Sequence, residues 1–165
     1  MPYQRFEDLP VWNSAIELAL QVYEFTSNPE FKARYSLKDQ LERATVSVSN
    51  NIAEGFERGT NKELLSFLYI SRGSAGEVRS MLCLIERVPA FQKLNADIKQ
   101  LKSKAESCSR QLKAWAQALQ NSDFKGERHV SQKMKRAAQA AKERQNFLDE
   151  LSEIRAKAKA ASKDD

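Results

Sequence analysis

The chain has a single histidine, His129, among 165 residues, and most of the chemistry that histidine serves goes with it. A di-iron bundle built on Glu-x-x-His motifs, a Ser–His or Cys–His nucleophile pair and a histidine zinc site all need imidazoles that are missing. Glycine and proline are scarce, at five and four, and strand-like alternation does not occur, which favours long helices with few turns. Only two cysteines are present, Cys83 and Cys108, both inside helical patterns. If the third and fourth helices lie side by side they could pair as a disulfide; the other reading is two buried thiols in a reducing cytosol. No run of eighteen apolar residues exists, and the opening MPYQRFEDLP has neither the basic start nor the apolar centre of a secretory signal. A cytoplasmic protein without a membrane span is expected. A phosphate-cradling glycine loop is also missing, because Gly73-Ser74-Ala75-Gly76 lies mid-helix and follows no strand.

What is present suits a helical bundle. Hydrophobic residues at 41% supply a core, and charged residues at 30% supply a solvated surface. The net charge of +5 allows an anionic partner without requiring one. A first helix is expected from Asp8 as cap, with Pro10 in its first turn, to Asn28-Pro29. Leu9, Trp12, Ile16, Ala19 and Tyr23 form one stripe on it, widened by Ala15, Leu18, Val22 and Phe25. Phe31 and Tyr35 are expected anchors in the connection that follows, and Ser36 and Asp39 open the second helix. The fourth helix carries Leu94, Ile98, Leu101, Ala105, Cys108, Leu112, Trp115 and Leu119 in steps of four and three, a heptad seam that predicts near-parallel or antiparallel packing at about +20°.

The stretch from Gln40 to Val78 organises the rest. It reads as two helices folded back at Gly55–Gly59. Leu41, Ala44, Val48 and Ile52 mark one face of the first, and Arg43, Ser47, Asn51, Glu54 and Arg58 mark a neighbouring polar face. Thr60 and Glu63 make a capping box for the second. Phe67, Ile70, Ser74, Glu77 and Met81 are its expected inward stripe. Antiparallel pairing then brings Asn51 near Phe67, and Ser47 near Ile70 and Ser71, so that polar groups face one another inside the hairpin. Glu54, Glu63 and Glu77 could serve acid–base or metal chemistry. The preferred reading is that Arg43, Ser47, Asn51, Glu54, Arg58, Glu63, Ser74 and Glu77 form a structural network that fixes helix register, with no catalytic residue, no metal and no cofactor.

The same stretch resembles a family: the four-helix-bundle proteins first noticed as reading frames in intervening sequences of large-subunit ribosomal RNA genes. The resemblance is carried by Gln40, Leu41, Arg43, Ala44, Ser47, the Asn51-Ile52-Ala53-Glu54-Gly55 run, Arg58, Lys62, Glu63, Phe67, Leu68, Gly73, Ser74 and Glu77. Phe6, Leu9, Val11, Trp12, Ala15 and Leu18 match the family's first helix, and the likeness ends near Leu119. Ser49 and Asn50 depart from the pattern, standing where a proline and a small residue are common. The resemblance implies an all-α, up-down-up-down antiparallel four-helix bundle over residues 1–121. It also implies kinship with the accessory protein of diversity-generating retroelements, a pentameric ring that binds nucleic acid and a reverse transcriptase.

Beyond Asn121 the composition changes to alanine, lysine, arginine and glutamine. Residues 122–165 are read as a C-terminal basic, alanine-rich helical or partly disordered tail. Between Lys125 and Gln145 seven basic residues stand against two acidic. Two surfaces are therefore candidates for sequence-nonspecific RNA or DNA binding. One is Arg72, Arg79 and Arg87, spaced by seven and eight along the third helix, where Gly76, Ser80 and Cys83 keep the face low. The other is Lys133, Lys135, Arg136, Lys142 and Arg144 in the tail. The expected function is a non-enzymatic, oligomeric nucleic-acid-binding adaptor, with a pentamer favoured and a reverse transcriptase as protein partner. The alternative is a structural or interaction protein encoded in a ribosomal RNA intervening sequence, whose charge serves only solubility.

Overall fold

In the computed structural model, which describes residues 3–121 and residue 144, four α-helices form an antiparallel up-down-up-down bundle. They are α1 (Pro10–Thr26), α2 (Tyr35–Glu57), α3 (Asn61–Arg87) and α4 (Asn95–Gln120). Each packs on its neighbours in the chain, and α1 meets α4 to close the bundle. All four belong to the first of two units into which the chain divides, Met1–Arg128. Among the described residues no helix is long and apolar enough to cross a membrane. Of the expected tail, only Arg144 is described, as helical and exposed; Lys133, Lys135, Arg136 and Lys142 lie outside the described residues.

The connections are short and pinned by aromatic rings. Pro29–Phe31 is a single 3-10 turn and Pro89–Leu94 a longer, six-residue 3-10 segment at the same end of the bundle. Phe31 stacks edge-on against Phe25 at 5.2 Å and tilts against Phe91 at 4.7 Å, and both Phe31 and Phe91 are buried. Three rings thereby tie two loops to the end of α1, a contact type that adds to simple area burial. Tyr35, expected as a second anchor, is instead 74% exposed. The start of α1 also differs from expectation. Asp8 lies in a preceding 3-10 turn, Phe6–Asp8, and the cap position falls to Leu9, whose side chain cannot bond the helix amides. Leu9 is there because its side chain is core, 2% exposed.

On α1 the inward face is Val11, Ala15, Leu18, Ala19, Val22 and Phe25, with Trp12 and Ile16 half-buried and Tyr23 exposed. The seam of α4 is the one its heptads describe, from Ile98 through Leu112 to Leu119, with Ala116 buried beside a half-buried Trp115. Cys108 sits in this seam and Cys83 at the half-buried edge of α3; both are free thiols, and burial pushes the Cys108 thiol upward in pKa. The pairing alternative is thereby set aside.

The turn between α2 and α3 is shorter than the glycine spacing suggests. Helix α2 continues through Gly55 to Glu57, and only Gly59 leaves the helical region, at φ 82°. A left-handed residue just past a helix end favours glycine because any Cβ is strained there. Gly55 has a different role. A Cβ built on it would stand 2.5 Å from Cβ of Phe67 and 3.3 Å from Leu64. The hydrogen at this position lets α3 cross α2 at its first full turns. Thr60 then caps α3: its hydroxyl accepts from the Glu63 amide at 3.2 Å and donates to the Glu63 carboxylate at 2.7 Å.

Two substitutions separate these glycine roles. Gly55→Ala should destabilise the bundle by about 1–3 kcal/mol, the usual range for overpacking a tight contact. Gly73→Ala, on an exposed position with open space around it, should stabilise by about 0.5–1 kcal/mol through helix propensity. Thermal melts of the two variants check the opposite signs.

Candidate functional site

The polar residues of the α2–α3 hairpin line its outer groove, and the inward stripe of α3 is one step away from the expected one. Leu64, Leu68, Ser71, Ala75, Val78, Met81, Leu82 and Ile85 are buried, so that Met81 alone of the expected stripe is core, whereas Ile70 and Glu77 are exposed and Phe67 and Ser74 lie at the rim. Ser47 and Ser74 meet across the groove at 3.0 Å. Asn51 donates to the Ser47 carbonyl at 2.7 Å and to the Ser47 hydroxyl at 2.9 Å. Gln40 reaches Glu77 at 3.3 Å, Arg58 reaches Glu54 at 2.7 Å, and Arg43 stands 3.8 Å from Asp39. The Arg58 guanidinium lies 5.4 Å from the ring of Phe67, and the Glu54 hydrogen bond raises its pKa.

These contacts are a rim ladder of single hydrogen bonds and helix-surface ion pairs. The three carboxylates considered for chemistry are divided among separate tasks: Glu54 pairs with an arginine one turn on, Glu63 caps α3, and Glu77 accepts from Gln40. Among the described residues no group of three or more acidic, cysteine or histidine side chains is placed to hold a metal ion. The buried polar link between the helices is one that the sequence reading placed only near Ser47. Ser71, wholly buried, donates to the carbonyl of Val48 at 2.8 Å. Its place in the three–four spacing of Leu64, Leu68, Ala75 and Val78 is the signal that marks it as inward.

The basic candidates of α3 do not act as one set. Arg79 lines an open groove between α3 and α4, together with Gly76, Ser80 and Cys83 from α3 and Lys99, Lys102, Ser103 and Glu106 from α4. Arg72 is half-buried and lies outside that lining, and Arg87 donates to the Cys83 carbonyl at 2.8 Å near the end of α3. The groove thus brings Arg79 together with two lysines that the sequence reading missed. Lys99, Lys102, Ser103 and Glu106 flank the α4 seam at steps of three and four, which was their available signal. Lys102 also binds Glu86 at 2.9 Å, which raises the lysine's pKa and lowers that of the carboxyl. Gly76 and two serines leave the floor low, so a phosphate backbone could approach three cationic side chains without meeting a bulky wall.

The family described as 23S rRNA-intervening sequence protein matches residues 7–114, a span that holds the hairpin and the whole lining of the basic groove. No curated protein matches the chain.

The division between buried and rim polar contacts has a direct consequence. Ser71→Ala should cost about 1 kcal/mol, the typical net value of one intramolecular hydrogen bond. Glu54→Ala should leave the melting midpoint unchanged within error, because half-exposed ion pairs on a helix surface contribute little. Denaturant unfolding of both variants tests this, and a larger loss for Glu54→Ala would mean that the rim ladder, not the buried serine, fixes the hairpin.

Proposed function

We propose that this chain, which belongs to the family of 23S rRNA-intervening sequence proteins, is a non-enzymatic, oligomeric adaptor that binds structured RNA or DNA through the α3–α4 groove. The observation that carries this reading is the convergence of Arg79, Lys99 and Lys102 over a floor of Gly76, Ser80 and Ser103. Contacts of this kind neutralise phosphates and release counterions, and they read the backbone rather than the bases. The groove offers no aromatic platform, so stacking on unpaired bases contributes nothing there. The resemblance to retroelement accessory proteins extends the proposal to a reverse transcriptase as protein partner and to a pentamer. A second reading, a structural or interaction protein without nucleic-acid binding, is favoured by one specific observation: Glu86 already engages Lys102, and Glu106 lines the same groove.

Binding to a structured RNA and to a DNA duplex, measured from low to moderate salt, separates the two. The adaptor reading predicts affinity that falls steeply with salt, at roughly 0.9 logarithmic units per contacted phosphate for a duplex. Replacing Arg79 and Lys99 by glutamine should weaken binding to all sequences alike and lower that slope by about 2. A truncation after Asn121 isolates the share that comes from the tail. Failure of the full chain to bind at low salt would leave the interaction-protein reading.

A further inference from the structure

The basic groove is the middle of a longer row. Along α3, Tyr69, Arg72, Gly76, Arg79, Cys83 and Arg87 recur at steps of three and four, so they share one helical face. On α4 the matching face holds Lys99, Lys102, Glu106, Arg110 and Lys113, and its last turns hold Gln117 and Gln120. Two contacts fix how these antiparallel faces meet. At one end Lys102 donates to Glu86 at 2.9 Å; at the other Gln120 donates to the Tyr69 hydroxyl at 2.8 Å. Between them lies the open groove of Gly76, Arg79, Lys99 and Lys102. At a rise of about 1.5 Å per residue, the row runs roughly 25 Å from Tyr69 to Glu86. One strand of a duplex carries a phosphate every 3.4 Å or so of helix axis, so this length spans roughly seven base pairs.

The row changes character along its length. Its carboxylates, Glu86 and Glu106, are held by Lys102 and by Arg110, the latter at 3.1 Å. The charges of Arg72, Arg79, Arg87, Lys99 and Lys113 stand beyond these two pairs. At the far end the α4 side turns neutral, and an aromatic ring faces it. Tyr69 is 43% exposed, and its hydroxyl is tied across to α4 by the Gln120 amide. An aromatic side chain held beside a cationic track can stack on a base. Inside a duplex both faces of each base are covered by its neighbours, so the ring can take only an unpaired one. Gln117, exposed one turn before Gln120, brings an amide that can both donate to and accept from a base edge.

We infer that Tyr69 is a stacking platform for the first unpaired base where a strand leaves a duplex, with the phosphates of that duplex lying along the cations of the α3–α4 row. The inference rests on the adaptor reading and narrows its ligand to a duplex with a single-stranded extension. The cations read the backbone without regard to pairing, and Tyr69 reads the junction. Gln120 is a positioning residue, because it acts through the tyrosine hydroxyl.

Two RNA hairpins test this, alike in stem and loop. One is blunt, and the other has an unpaired extension whose first base is a fluorescent adenine analogue. Anisotropy of an end label gives the affinity of the full chain for each, and quenching of the analogue reports stacking. The wild type should bind the extended hairpin more tightly than the blunt one and quench the analogue. Tyr69→Ala should lose about 5- to 140-fold on the extended hairpin, the range for one base–aromatic stack. It should leave the blunt hairpin unchanged and abolish the quenching. Tyr69→Phe, which keeps the ring, should still quench. The salt slope should be the same for all three, because no phosphate contact is removed. Circular dichroism verifies that the variants are folded; the preference and quenching of the wild type carry the test if Tyr69→Ala is not. Equal wild-type affinity for the two hairpins, quenching that survives Tyr69→Ala, or a loss shared equally by both hairpins would overturn the inference and leave the adaptor reading in place. Failure of the wild type to bind either hairpin at low salt would remove the adaptor reading and the inference with it.

Discussion

The close approach of α2 and α3 is the constraint on which the rest of the bundle depends. At Gly55 the two helices come so near that a single methyl group would overlap Phe67. One turn's rise is 5.4 Å, so this contact sets the rotation of α3 against α2 for the turns that follow. With that rotation fixed, Ser71 faces the Val48 carbonyl and Leu64, Leu68, Ala75 and Val78 enter the core. The polar ladder of Ser47, Asn51 and Ser74 is left half-buried at the rim. The same rotation turns Gly76, Arg79 and Cys83 toward α4 and so creates the basic groove.

Much of this was legible in the residues. The heptads of α4, the Thr60–Glu63 cap and the antiparallel hairpin each follow from local spacing, and each is found where that spacing puts it. The inward face of α3 was misread by one position along most of its length because Phe67 and Ile70 make an apolar stripe as regular as that of Leu64 and Leu68; only Met81 of the expected stripe enters the core. Two such stripes on one helix can be separated only by the neighbour they pack on, and here the neighbour's glycine decides. Asp8 was misread for a similar reason: a good capping residue stood one position before a leucine that the core needs. Lys99 and Lys102 escaped notice because their partner Arg79 is some twenty residues away on another helix, and no periodicity within one helix records such a meeting.

The distribution of charge is what the proposed function draws on. A bundle with both signs mixed over its surface would be soluble and indifferent; this one has an acidic side and a basic side, each with its own groove. The potential of the whole side extends further than any one ion pair and guides the approach of a partner of opposite sign. The proposal that nucleic acid binds on the basic side draws on this groove. Gly55, Thr60 and Glu63 position the helix that carries half of the basic groove.

Native-state hydrogen exchange tests most directly whether the α2–α3 hairpin is the framework of the bundle. Amides buried in the tightest packing open only with global unfolding, and those of peripheral elements exchange through smaller openings. The account predicts that the slowest amides lie in α2 from Ala44 to Phe56 and in α3 from Leu64 to Leu82, with α1 exchanging sooner. Slowest exchange in α1, with the amides around Gly55 and Ser71 opening early, would contradict it.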